Sequence, residues 1–242
     1  MGSRSEMEMK MTETEIVQSE WQNTGTSWTR NQFFEENGFL VVKNICDPKK
    51  LFCPPPEKTG KYIWWGKEID QFRYFEDEEQ VNGSLARYWY PQYRKIHSDV
   101  RKILEEAIGR KLNNTYYYDR YYYPGQQLIK HTDRPACEIS VSVHISTNIK
   151  EDWPIYFKTP DKFTDITKKE LVKKGENVSV KLKQGDGVIY KGCERPHWRD
   201  SMPGLFEEMI GDEVFYYHQI FFHYVLQDGV RAHFAFDRGN DL

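Results

Sequence analysis

The chain is poor in the features that mark several large protein classes. Of its 242 residues four are cysteines, Cys46, Cys53, Cys137 and Cys193, with no CxxC pair and no zinc-ligand spacing among them. No secretory leader and no long apolar run is present, so the expectation is reduced thiols in a cytoplasmic compartment and no membrane partner. The net charge is only -3, with no basic stripe, which argues against a nucleic-acid partner. Internal repeats and low-complexity tracts are also missing, so solenoids and long linkers are excluded.

What remains is a sequence with 38% hydrophobic and 15% aromatic residues, long enough for one domain with extensions. Residues 1–28 are polar and read as a flexible N-terminal arm in which Trp21 and Trp28 could dock, and Met1-Gly2-Ser3 has the composition of a cloning scar. Residues 29–242 read as one domain. Asn31 to Asn37 forms a short helix stopped by Gly38, and Phe39–Val42 is a strand. Cys53-Pro54-Pro55-Pro56 opens an aromatic loop region through Tyr62, Trp64, Trp65, Phe72, Tyr74 and Phe75, either a cluster under loops or a wall or lid facing substrate. Ile96, Val100, Ile103, Leu104, Ala107 and Ile108 fall at helical spacing between Tyr90 and Leu112.

From Thr115 onward the pattern is β. Strands are expected over Tyr116–Tyr123, Leu128–His131, Ile139–Ser146, near Ile155-Tyr156-Phe157, Val178–Leu182, Val188–Tyr190 and Val214–Leu226. Asp161 to Asn177 is charged and reads as a solvated excursion. So many short strands with little helix between them indicate an antiparallel sandwich or jelly roll with flanking helices.

The chemistry concentrates at His131-Thr132-Asp133 and at a distal His197 in Glu194-Arg195-Pro196-His197-Trp198-Arg199. Residues two apart in an extended chain project to one side, so His131 and Asp133 can meet on one ion while His197 arrives from a neighbouring strand. Two histidines and one carboxylate form the facial triad that leaves three positions of an octahedral iron open. His-x-Asp alone is a common tripeptide, and its surroundings carry the reading. Tyr123-Pro124-Gly125 precedes it, an alternating strand from Glu138 to Ser146 follows, and Gly185-Asp186-Gly187 leads to the distal histidine.

That order resembles the iron(II)/2-oxoglutarate-dependent dioxygenases, the prolyl-hydroxylase-like branch in particular, over roughly residues 30–228. The resemblance implies a double-stranded β-helix, a cupin-like jelly roll, with Fe(II) in its mouth and 2-oxoglutarate and O2 as cosubstrates. It implies His131, Asp133 and His197 as metal ligands and catalytic centre. Tyr123, with Tyr121 at the same parity, resembles the family tyrosine that reaches 2-oxoglutarate, and His144 falls where relatives carry a second polar contact.

The far carboxylate of 2-oxoglutarate needs a cation, which arginine supplies with a permanently charged fork. Many relatives place it about ten positions after the distal histidine. Here position 207 is Glu, and Val214–Leu226 holds neither Arg nor Lys. Arg199, two residues after His197 and on its side of a strand, is the expected substitute, with a rim ion pair to Glu194 or Asp200 as the plain alternative. His218 is the next candidate.

The implied activity is oxidation of an aliphatic C–H in an amino acid, peptidyl residue or small metabolite, with release of succinate and CO2. A cupin-like metal enzyme without 2-oxoglutarate, or a silent binding module on the same fold, are the alternatives. The carboxylate of Asp133 argues against a halogenase, which needs that coordination position vacated.

Overall fold

The computed structural model describes residues 30–53, 63–65, 72–75, 80–163, 171–204 and 215–235. The N-terminal arm with Trp21 and Trp28, and Glu207, lie outside this set. So do the side chains of Tyr62, Trp64, Trp65, Phe72, Tyr74 and Phe75, on which the wall or lid reading rests.

Helix α1 (Arg30–Asn37) stops where Gly38 takes a positive φ of 76° and its N–H reaches Phe34 O. A Cβ there would come within 2.6 Å of the Arg195 side chain, so glycine answers both backbone and space. The chain then enters β1 (Phe39–Val42), and α2 (Pro48–Leu51) follows, capped by the Asp47 side chain on Lys49 N. β2 (Ile63–Trp65), β3 (Phe72–Phe75) and β4 (Leu85–Tyr88) form an antiparallel meander. Two of these strands lie in the region expected to be loop. Aromatic and β-branched residues suit a pleated surface, and strand pairing prevailed over the proline signal just before it.

α3 (Arg94–Ile108) buries Val100, Leu104, Ala107 and Ile108 against the sheet and ends at Gly109, left-handed at φ 68°. Burying each of the larger aliphatic side chains contributes roughly 1.5–3 kcal/mol. The remaining strands are β5 (Leu112–Tyr122), β6 (Leu128–His131), β7 (Ile139–Thr147), β8 (Ile155–Lys158), β9 (Lys162–Phe163), β10 (Leu171–Lys173), β11 (Asn177–Val180), β12 (Gly187–Tyr190), β13 (His197–Arg199) and β14 (Tyr217–Leu226). β9 and β10 pair within the charged excursion, which is therefore not wholly irregular.

Two antiparallel sheets face each other. The larger runs β1-β12-β7-β14-β5-β4-β3-β2 and the smaller β11-β8-β13-β6. One face of the large sheet packs under α3 through Val141, Val143, Ile220, Phe222 and Tyr224. The other face looks into the space between the sheets, with Tyr116, Tyr118, Tyr122, Tyr217 and Phe221. This alternation, period two along β5 and β14, decides which side chains can reach the interior. Among the described residues no helix is long and apolar enough to cross a membrane.

Candidate metal centre

β6 ends at His131 and β13 begins at His197, and the antiparallel register sets the two residues opposite each other. Their ring centroids are 4.4 Å apart. Asp133 follows two residues past His131, anchored by its N–H on Gly192 O at 2.9 Å. Its Oδ1 stands 3.4 Å from His131 Nε2 and 3.4 Å from His197 Nε2. Cis ligands of an octahedral ion at about 2.1 Å are separated by about 3.0 Å, so the trio fits one ion with little movement.

The tautomers fit as well. His131 Nδ1 lies 2.8 Å from Ile129 O, and His197 Nδ1 lies 2.9 Å from Arg195 O. A carbonyl only accepts, so each Nδ1 carries the proton and each Nε2 presents a lone pair. Burial pushes the Asp133 carboxyl up, but the influence of His197, with the His131 imidazole beside it, outweighs this and holds the group well below the usual carboxylate range. Burial likewise depresses His197, and Asp133 more than reverses this. The point between the three ligand atoms favours positive charge.

The other carboxylate oxygen is braced. Ser140 Oγ donates to Asp133 Oδ2 at 2.9 Å and lies 2.9 Å from His223 Nδ1. Burial drives His223 down to about 3, so it is neutral and its Nδ1–H can donate to the serine. A Cβ at Gly192 would come within 2.4 Å of Asp133 Oδ2 and 2.3 Å of Cys137 O, so the carboxylate packs where only glycine leaves room. Asp133, Cys137 and His223 form a second group of convergent ligand atoms. It shares Asp133, and the Ser140 hydroxyl already links two of its members.

Arg199, 2% exposed, follows His197 on β13 and points inward. Its Nη1 donates to Trp153 O, and its guanidinium lies over the rings of Trp153 at 4.6 Å and Tyr217 at 5.1 Å. Nε and Nη2 are buried without a hydrogen-bond partner among the described residues, and neither Glu194 nor Asp200 pairs with it there. His144 stacks on Tyr217 at 4.1 Å, donates Nδ1–H to Leu182 O at 2.9 Å and keeps a buried, unpartnered Nε2. Burial, aided by Arg199 and His218, lowers it to about 4 against the pull of the Leu182 carbonyl. Arg199 and His144 therefore meet at the Tyr217 ring in the space between the sheets.

Three expected contacts are elsewhere. His218 and Tyr121 stack on each other at 4.0 Å on the opposite face of the large sheet, where His218 Nε2 meets Asp119 at 2.8 Å. Tyr123 packs with Tyr121 and Leu85 on that side. The cause is parity: in β5 residues 116, 118, 120 and 122 face the interior, and the odd-numbered ones do not. These three residues therefore do not share the face that carries Arg199 and His144. The inward tyrosine is Tyr122, which sequence reading missed. Arg120 was missed too, fully buried beside it and donating to Tyr122 Oη at 3.1 Å. An arginine at the inward parity of a tyrosine-rich strand was the available signal. Gln80, Ser140, Trp153, Tyr217 and His223 carried none, because each arrives by tertiary contact.

No protein-family model and no curated protein matches the chain. Solved structures do. A 2OG-Fe(II) oxygenase family oxidoreductase from Burkholderia pseudomallei superposes with a TM-score of 0.50 at 9% identity, over 81% of this chain and 88% of that one. A prolyl-4-hydroxylase from Pseudomonas putida gives 0.46 at 10%, over 78% and 94%. EvdO2 from Micromonospora carbonacea var. aurantiaca, complexed with 2-oxoglutarate, gives 0.43 at 12%, over 88% and 98%. Identities this low speak to architecture alone. The chain has the double-stranded β-helix fold of the 2OG-Fe(II) oxygenases.

Proposed function

We propose that this protein is an Fe(II)- and 2-oxoglutarate-dependent dioxygenase that oxidises an aliphatic C–H of an amino acid, a peptidyl residue or a small metabolite. The observation that carries this reading is the convergence of His131 Nε2, His197 Nε2 and Asp133 Oδ1, with both Nδ1 protons fixed on backbone carbonyls. When bound, iron with 2-oxoglutarate and O2 would supply the oxidising chemistry, yielding succinate and CO2.

The chain's own residues have separable tasks. His131, Asp133 and His197 would hold the ion through Nε2, Oδ1 and Nε2. Ser140 and His223 keep Asp133 turned so that Oδ1 is the ligating oxygen. Arg199 receives the far carboxylate of 2-oxoglutarate, because a buried guanidinium with two free N–H groups and no acid beside it is costly until an anion arrives. Tyr217 and Trp153 lie against that guanidinium, and Tyr190, with its ring 4.6 Å from His197, shields the histidine from water. His144 meets the same Tyr217 ring as a neutral polar contact.

A screen of amino acids, peptides and small acids for substrate-dependent succinate release, run with Fe(II) and 2-oxoglutarate, tests the reading. A substrate that raises succinate stoichiometrically with its own oxidation supports it. Turnover of a substrate with no 2-oxoglutarate requirement would replace it with a cupin-like metal enzyme.

A further inference from the structure

Gln80 touches the metal centre from outside the three ligands. Its side-chain nitrogen is 3.0 Å from His131 Nε2, and its carbonyl oxygen is 2.9 Å from Arg120 Nη2. The two contacts fix the orientation of the amide. A guanidinium can only donate, so the Gln80 oxygen faces Arg120 and the NH2 faces His131. His131 has its proton on Nδ1, committed to Ile129 O, so Nε2 can only accept. Gln80 therefore donates to the one lone pair that a metal ion at this centre would use.

The amide and the metal cannot share that lone pair. A metal on His131 Nε2 leaves the Gln80 N–H group without its acceptor, while Arg120 still grips the carbonyl end. Arg120 is 1% exposed and is itself tied to Tyr122 Oη at 3.1 Å, so it is a rigid hinge. The freed donor stands 3.0 Å from His131 Nε2, within reach of the other ligands that a metal on that nitrogen would carry. An oxygen ligand there carries negative charge and accepts strongly.

Building on the iron and 2-oxoglutarate reading above, we infer that Gln80 is a positioning residue for the cosubstrate. Its amide leaves His131 when metal binds and donates to the metal-proximal carboxylate of 2-oxoglutarate, aimed by Arg120. The device also excludes the metal weakly until the cosubstrate provides a replacement acceptor. Gln80 itself is exposed, so substitutions there should spare the fold.

The test uses Co(II) as a spectroscopic probe and has two arms on the full chain, with wild type and Gln80→Leu compared and thermal melts as the folding control. In the first arm Co(II) alone is titrated, and Gln80→Leu should bind it equally or a few-fold more tightly. In the second, 2-oxoglutarate is titrated into the Co(II) form. Loss of a hydrogen bond to a charged acceptor should weaken its binding about tenfold or more in Gln80→Leu and shift the cobalt ligand-field bands. Gln80→Glu should weaken it further, since the new carboxylate repels the cosubstrate and pairs with Arg120. If wild type responds to 2-oxoglutarate and Gln80→Leu is indistinguishable from it, the role of Gln80 is overturned and the 2-oxoglutarate reading stands. If wild type binds Co(II) but its spectrum ignores 2-oxoglutarate, both fall together.

Discussion

The Ser140 hydroxyl donates to Asp133 Oδ2 at 2.9 Å, and this one bond selects Oδ1 as the carboxylate oxygen that faces His131 and His197. Without it the carboxylate could turn and present either oxygen, or both. His223 stands behind the serine and orients its proton. Partners behind a metal ligand typically matter by 10–100-fold in affinity or activity. Ser140→Ala is therefore expected to weaken Fe(II) binding at least about tenfold, with a loss of about 1–3 kcal/mol in stability from the unpaired His223 N–H. Competition with a metal-sensitive chelating dye measures it, and unaltered affinity would show that Gly192 alone positions Asp133.

Arg199 gives the second expectation. Removing the partner of a buried charge costs about 3–5 kcal/mol, so Arg199→Ala should raise the apparent 2-oxoglutarate constant by roughly two to three orders of magnitude. Arg199→Lys should recover only part of this, since a point charge lacks the fork. Iron content should hold in both variants. Normal saturation of Arg199→Ala would move the anchor to Arg120, the other arginine buried between the sheets, because His218 lies on the far face.

Acid sensitivity follows from His97. Its ring is buried among Tyr117, Phe222 and Tyr224, with Nε2 on His223 O at 3.1 Å. Burial lowers it from 6.5 to about 4, against the opposing pull of that carbonyl. The sign is fixed by which state binds the proton. Below its ordinary pKa the unfolded chain takes up a proton that the folded one refuses, so stability is full above about 6.5 and falls as pH drops toward 4. The loss should approach roughly 3 kcal/mol. Urea melts between pH 7 and 4 should show a shallower decline for His97→Phe than for wild type. An equal slope in both would mean the proton enters elsewhere, with His144 the next group to test.

Much of this architecture was legible in the sequence because one periodicity carries it. Alternation along Ile139 to Ser146 and the apolar spacing from Ile96 to Ile108 gave a strand and a helix close to their places. The convergence of His131, Asp133 and His197 could be expected from the sequence because two of them lie at the ends of short paired strands and Asp133 follows two residues after the first. The inward parity of β5 could not, because tyrosines occupy both faces and the hydrophobic pattern cannot tell them apart. Tyr121 and Tyr123 were read toward the cosubstrate for that reason, and His218 because its strand holds neither Arg nor Lys. β2 and β3 hid behind a run of prolines, and Gln80 and Ser140 are polar residues whose partners are distant in the chain.

The central claim is that His131, Asp133 and His197 together hold a single Fe(II) that 2-oxoglutarate completes. Anaerobic titration of 2-oxoglutarate into the Fe(II) protein, followed by visible charge-transfer absorption, measures this directly. The account predicts a band that saturates at one equivalent of iron in wild type, and its loss together with tight iron binding in His131→Ala, Asp133→Ala and His197→Ala. A His197→Ala protein that keeps wild-type iron content and develops the same band would contradict it.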